Sequence, residues 1–194
     1  MSSVEPNGAP AADTRQRLID TAVRLFRQHS FAGTSLQMIS EDLGLTKSAI
    51  YHHFRTREEL LSAVIEPMLM KLAPLVEDAE TQRTPRARAE RMLNGFAALA
   101  AANRSLISVL TGDPGVVDML RNRPEWGDLV SRQMALLAGV EPGPNGRVKA
   151  AIVMSGISAA ARPGIVDLDD EALLSQFLDT GRRTLGLRTP KGAH

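Results

Sequence analysis

The 194-residue chain contains no cysteine. That excludes a disulfide framework and a thiolate metal site, and it accords with a reducing compartment. No apolar run approaches the length needed to cross a bilayer. The first dozen residues, MSSVEPNGAPAA, lack the basic start and apolar stretch of a secretory signal. A soluble, cytoplasmic protein is expected. Strand-type alternation and internal repeats are also missing, which leaves an all-α chain. The run GVEPGPNGR, 139–147, has neither the Lys-Ser/Thr pair nor the preceding strand of a phosphate-binding loop, and reads as a plain loop. No G-x-S-x-G nucleophile motif occurs, so an enzyme is not expected. His52 and His53 are adjacent, and on a helix their side chains diverge too far to chelate one ion. Neither a metal nor a cofactor is expected. Net charge is scarce as well: the total is +1, and residues 1–60 hold seven Lys/Arg against seven Asp/Glu. If the partner is a polyanion, the positive charge that meets it must be local.

One stretch supplies that local charge. From Thr34 to Leu60 the sequence reads TSLQMISEDLGLTKSAIYHHFRTREEL. Ile39, Leu43, Leu45, Ile50 and Phe54 fall where two short crossed helices would face a shared core, with Gly44 at the tight turn between them. Thr46, Lys47, Ser48, Tyr51 and His52 remain outward, and no Asp or Glu occurs from Leu43 through Arg57. This is a helix-turn-helix pattern whose second helix, about Lys47 to His53, would enter a DNA major groove. His52 is the histidine expected outward.

The flanking residues extend the pattern. Residues 1–12 read as a mobile arm. Asp13 with Gln16 forms a capping pair for a first helix that carries Leu18, Ala22, Leu25 and Phe26 to about His29. Thr34 with Gln37 forms a second pair. Thr34 and Ser35 would then sit at a helix N-terminus, where free backbone N–H groups favour a phosphate. Thr46 caps the third helix, and Thr56 with Glu59 caps the fourth. Arg57, at the start of that fourth helix, is expected to touch the DNA backbone, with Arg55 the weaker choice.

Beyond Arg57 the chain reads as helix throughout. Pro67 and Pro74 predict a kink or early end of the fourth helix. Thr84-Pro85 opens a helix running through Met92 and Phe96 to about Ala102. A short helix spans Arg104 to Leu110, and Asp113-Pro114 opens another through Trp126 and Met134 to Gly139, bent at Pro124. The last two helices, about Arg147–Ala161 and Asp169–Leu187, differ in character. The first is lined with Ala, Ser and Gly, and the second carries a wide face of Leu173, Leu174, Phe177, Leu178 and Leu185.

The first-helix ending LFRQHSFAGTS, the core ISEDLGLTKSAIYHHF and the helix start RTREELL together resemble the DNA-binding domain of the tetracycline-repressor (TetR) family of bacterial transcriptional regulators. The likeness covers Thr14 to Ile65. One departure is Arg57, where the family often has Lys. The resemblance implies an N-terminal three-helix DNA-binding domain over residues 1–60 and a larger helical effector-binding and dimerisation domain over 61–194. It also implies a homodimer that meets a palindromic double-stranded operator. The DNA-contacting set would be Thr34, Ser35, Thr46, Lys47, Ser48, Tyr51, His52 and Arg57. The dimer interface in the last two helices would use Ala151, Ser155, Ser158, Ala159, Leu174, Phe177 and Leu178. A cavity for a hydrophobic small-molecule effector would draw on Met68, Met92, Phe96, Met119, Trp126 and Met134, although methionine also fills ordinary core gaps. A repressor released by that effector is the expected function. The same residues admit an activator or a ligand-independent regulator of the same fold, or a helical interaction module that uses no DNA.

Overall fold

The computed structural model describes residues 9–110 and 113–187. Among them the chain forms ten helices and no strand: α1 (Ala9–His29), α2 (Leu36–Asp42), α3 (Lys47–His53), α4 (Arg57–Glu80), α5 (Pro85–Ala102), α6 (Arg104–Leu110), α7 (Pro114–Arg121), α8 (Pro124–Ala138), α9 (Pro144–Ala160) and α10 (Asp170–Leu185). The chain divides into two compact units, Met1–Glu66 and Pro67–His194. No described helix is long and apolar enough to cross a membrane.

The smaller unit is built on a short list of apolar side chains at helical spacing. Leu18, Ala22, Leu25 and Phe26 from α1 are buried together with Ile39, Ile50, Phe54, Leu60 and Leu61. Leu43 and Leu45, expected in that core, are only half-buried. The Phe26 and Phe31 rings meet edge to face, 5.5 Å between centroids, and close the end of α1. The expected capping pair at Asp13 is not formed. α1 already begins at Ala9, so Asp13 lies inside the helix, and Gln16 donates instead to Asp20 at 2.9 Å. Residues 1–8 of the expected arm lie outside the described residues, and 9–12 are helical.

α4 continues from the smaller unit into the larger one without a break, with Pro67 and Pro74 inside it. A proline in a helix interior removes a hydrogen bond and costs roughly 3 kcal/mol. The helix persists because buried side chains stand on both sides of each ring: Val64 and Ile65 before Pro67, Met68, Leu69 and Leu72 between the two, Val76 and Ala79 after Pro74. Each buried Leu or Val contributes about 1.5–3 kcal/mol, which outweighs the local defect.

In the larger unit α5 packs against α8, α9 and α10, and α9 packs against α8 and α10. Met92, Leu93, Phe96, Leu137, Val153, Ile157, Leu173 and Phe177 supply its interior. Thr84 caps α5, accepting from Ala87 N at 3.1 Å, and Asp169 caps α10, accepting from Ala172 N at 2.8 Å. The helix expected to bend at Pro124 is instead two helices, α7 and α8, because Pro124 occupies the first position of a new helix. α9 likewise starts at Pro144, inside the stretch expected to be loop. Polar ties join the layers. Arg182 donates to Glu90 at 2.7 Å and Asn94 at 3.0 Å. Arg132 grips Glu80 with two bonds of 2.9 and 2.7 Å, and that guanidinium holds the Glu80 carboxyl below the ordinary carboxylate range.

Candidate nucleic-acid interface

α3 has seven residues, too few for an isolated helix to persist in water. It stands because Ile50 is fully buried beneath it and because both ends are tied. Thr46 Oγ1 accepts from Ala49 N at 3.3 Å, and Phe54 N donates back to Ile50 O at 2.8 Å. The turn from α2 passes through Gly44 at φ +65°, a left-handed conformation that any side chain would strain. Leu45 N donates to Ser40 O at 2.8 Å and closes the turn.

This packing leaves an outward face. Lys47, Ser48 and His52 are exposed and Tyr51 is 44% exposed, while His53 is half-buried. The Lys47 ammonium lies 5.9 Å from the centroid of the Tyr51 ring. Two cationic or hydrogen-bonding side chains one helical turn apart thus share one ridge. The neighbouring α1 is braced against α2 by an ion pair between Arg24 and Asp42. Nothing in the periodicity of the sequence points to that pair. Arg15 stands over the Phe54 ring at 5.1 Å.

Two of the eight expected contacts are placed otherwise. Thr34 is 1% exposed, and its hydroxyl donates inward to Ser30 O at 2.8 Å, with Leu25 O at 3.3 Å. The cap of α2 is Ser35, whose Oγ accepts from Met38 N at 3.1 Å, and Gln37 bonds Glu41 instead of completing a capping pair with Thr34. Two adjacent hydroxyls make the cap ambiguous by one residue, and the shift turns Thr34 into the interior. Arg57 is half-buried, and its guanidinium donates to the carbonyls of Phe31, Ala32 and Thr34. It closes the link between α1 and α2. The fourth-helix cap is as expected, with Glu59 N on Thr56 Oγ1 at 3.0 Å, and Glu59 also accepts from Arg55 N at 2.8 Å. Thr46, Lys47, Ser48, Tyr51 and His52 are thereby brought together on one accessible ridge, with Ser35 half-buried at the head of α2.

Residues 18–64 match the family model for bacterial regulatory proteins of the tetR family. The amino-terminal unit belongs to the tetR family. The HTH-type transcriptional regulator AcrR of Shigella flexneri is 43% identical over 56 residues, 29% of this chain and 26% of that protein. The HTH-type transcriptional repressor AcnR of Corynebacterium glutamicum is 28% identical over 71 residues, 37% of this chain and 38% of that protein. The chain therefore spans well under half of the curated relatives it matches. Solved structures extend the likeness in fold. A tetR-family regulatory protein from Rhodococcus RHA1 superposes with a TM-score of 0.67 at 17% identity, covering 94% of this chain and all of that one. The ketosteroid transcriptional regulator KstR2 of Mycobacterium tuberculosis gives 0.67 at 16% identity, covering 94% and 95%. The tetR-family fold thus extends into the helices that follow the matched segment.

In the larger unit an open groove of about 570 Å³ lies between α9 and α10 and the segment joining them, lined by Ile152, Gly156, Val166, Leu168, Phe177 and Thr180 among others. None of the six residues expected to form an effector pocket lines it. Met68, Met92, Phe96 and Trp126 are buried, and Met119 and Met134 are half-buried. Of the seven residues expected at a dimer interface, Phe177 lines the groove, Ser155 is exposed, and Ala151, Ala159, Leu174 and Leu178 are half-buried. Ser158, at 4% exposure, is buried within the unit. The stripe of α9 that stays outside is Val148, Ile152, Ser155 and Gly156. The six apolar residues suit a pocket by type, but position on the helix face decides their environment.

Proposed function

We propose that the protein is a homodimeric, sequence-specific DNA-binding transcriptional regulator that acts as a repressor and is released from a palindromic operator by a hydrophobic small molecule. The observation that carries the reading is the α3 ridge: Lys47, Ser48, Tyr51 and His52 are accessible, rigidly backed by Ile50 and Phe54, and free of carboxylates from residue 43 to 57. Such a helix fits the width of a B-DNA major groove. Lys47 and Tyr51 position the protein through phosphates, with Ser35 and Thr46 at the neighbouring helix starts, and Ser48 and His52 aim at base edges. The repressor sense is supported by the AcnR relatives, which are named repressors.

The dimer is assigned to α9 and α10. Their groove and the exposed Val148 and Ile152 form an apolar surface that a second copy of the same helices would cover. Two reading heads related by a two-fold axis then require half-sites about one DNA turn apart or a multiple of it. The effector reading rests on the family fold of the larger unit and on the buried Met68, Met92, Phe96 and Trp126, and it demands that the ligand bind one arrangement of that unit better than another.

Footprinting on the DNA upstream of the protein's own gene, with the wild-type chain and the K47A and Y51A variants, tests the proposal. A protected palindrome that both variants weaken is expected. Unchanged, salt-insensitive retention by the double variant favours an interaction module that uses no DNA.

A further inference from the structure

Arg57 sits where a phosphate contact is expected, but its geometry gives it other work. Its Nη1 lies 3.2 Å from Phe31 O, 3.2 Å from Ala32 O and 3.1 Å from Thr34 O. The guanidinium carbon stands 5.0 Å from the centroid of the Phe31 ring. Those carbonyls belong to the link between α1 and α2, where the chain has left one helix and not yet entered the next, so regular helix bonds do not fill their acceptor capacity. The link also holds itself, through Thr34 Oγ1 on Ser30 O, Gly33 N on Ser30 Oγ and the Phe31 ring against Phe26, but none of these ties reaches α4. Ser30 adopts φ +65° without being glycine, and Gly33 is so close to the end of α1 that a Cβ there would fall 2.1 Å from His29 O. The planar cation both stacks and donates, which an ammonium at the same position does not reproduce.

We infer that Arg57 is a positioning residue for DNA binding: from the first turn of α4 it fixes the α1–α2 link, and so the start of α2 and the ridge of α3, without neutralising a phosphate. The inference rests on the DNA-binding reading above. It has a mechanical consequence. α4 is one helix from Arg57 to Glu80, so a displacement of its first turn pulls directly on the carbonyls that precede the Ser35 cap.

The test uses the full-length chain and a short mixed-sequence duplex, whose binding is governed by phosphate contacts and needs no known operator. The slope of log K against log salt becomes shallower by about 0.9 for each B-DNA phosphate that the protein no longer neutralises. K47A, the control, is expected to lower the slope by that amount per subunit. R57M is expected to keep the wild-type slope while amide exchange across residues 31–39 accelerates about tenfold, the scale of losing hydrogen bonds from a charged donor. R57Q keeps a neutral donor near the carbonyls, should accelerate exchange less, and replaces R57M if that variant does not fold. A slope lowered in R57M or R57Q as much as in K47A, with exchange at the wild-type rate, overturns the inference and leaves the DNA reading intact. A wild-type chain with no salt-dependent binding to the duplex overturns the DNA reading itself, and the inference with it.

Discussion

Replacing Thr34 by valine separates a structural hydroxyl from a DNA-contacting one. The substitution keeps the shape of the side chain, so it opens no cavity in a site that is 1% exposed. What disappears is one hydroxyl proton shared between Ser30 O at 2.8 Å and Leu25 O at 3.3 Å. A buried neutral hydrogen bond is worth about 0.5–1.5 kcal/mol net. Ser30 is exposed, so water can take over its carbonyl and the penalty for an unsatisfied acceptor is avoided. A destabilisation of about 1 kcal/mol follows. The chain has a single tyrosine, Tyr51, in the smaller unit and a single tryptophan, Trp126, in the larger, so urea titrations can follow the two separately. With m near 1–2 kcal/mol/M for a small unit, the Tyr51 midpoint should fall by about 0.5–1 M, the Trp126 midpoint should stay in place, and T34S should behave as wild type. The salt slope of DNA binding should not change. A T34V protein of unaltered urea midpoint whose slope has dropped by about 0.9 per subunit would refute this assignment of Thr34 to the interior.

Other substitutions probe other parts of the chain. G44A forces a Cβ into the left-handed region at φ +65°, where nothing lies within 4 Å to clash. It should therefore cost only the backbone strain of about 1–2 kcal/mol, with G44N costing less, as read from the Tyr51 urea midpoint. I152E places a carboxylate at a residue 57% exposed in the groove of α9 and α10. It should leave monomer stability unchanged while weakening self-association at least about tenfold in sedimentation equilibrium, and an unshifted association would remove the groove as the dimer face. Glu80 has a lowered folded pKa through its bond to Arg132. Its contribution is therefore present above the unfolded carboxylate pKa and lost as the pH falls through the lower folded value. Between those two limits the Trp126 unfolding midpoint of wild type should fall with acid more steeply than that of E80Q. Parallel acid profiles would show the pair to be inert.

Local signals in the sequence carry most of the smaller unit. The caps at Thr46 and Thr56 are one-turn patterns that depend on neighbours three residues away, and both form as the sequence predicts. The side chains at Ile39, Ile50 and Phe54 obey a period that sequence displays directly. What stays hidden depends on distant partners. Arg57 meets carbonyls 23 to 26 residues earlier, and no spacing rule encodes such a contact. Pro67 and Pro74 look like breaks because propensity is local, while the burial that holds α4 together comes from the fold around it. In the larger unit the segment between α9 and α10 is held by Arg104, which donates to the carbonyls of Ala161, Val166 and Leu168 and so presents Val166 and Leu168 to the groove. That arginine carries no motif. Residue type alone fails to find the groove for the same reason.

The reading ridge and its support therefore obey different rules. α3 is too short to exist alone, so every property of its outward face is inherited from the residues that pin it: Ile50 beneath, Thr46 at its head, Phe54 at its end, and the α2 start that Ser35 caps. A change in any of these alters how Lys47 and Tyr51 are presented without altering their chemistry. Arg57 connects the α1–α2 link to the first turn of α4 through bonds of 3.1 to 3.2 Å. Arg57 and Thr34 are both bonded inward, so a change at either one acts on the ridge through its support and not on its outward face.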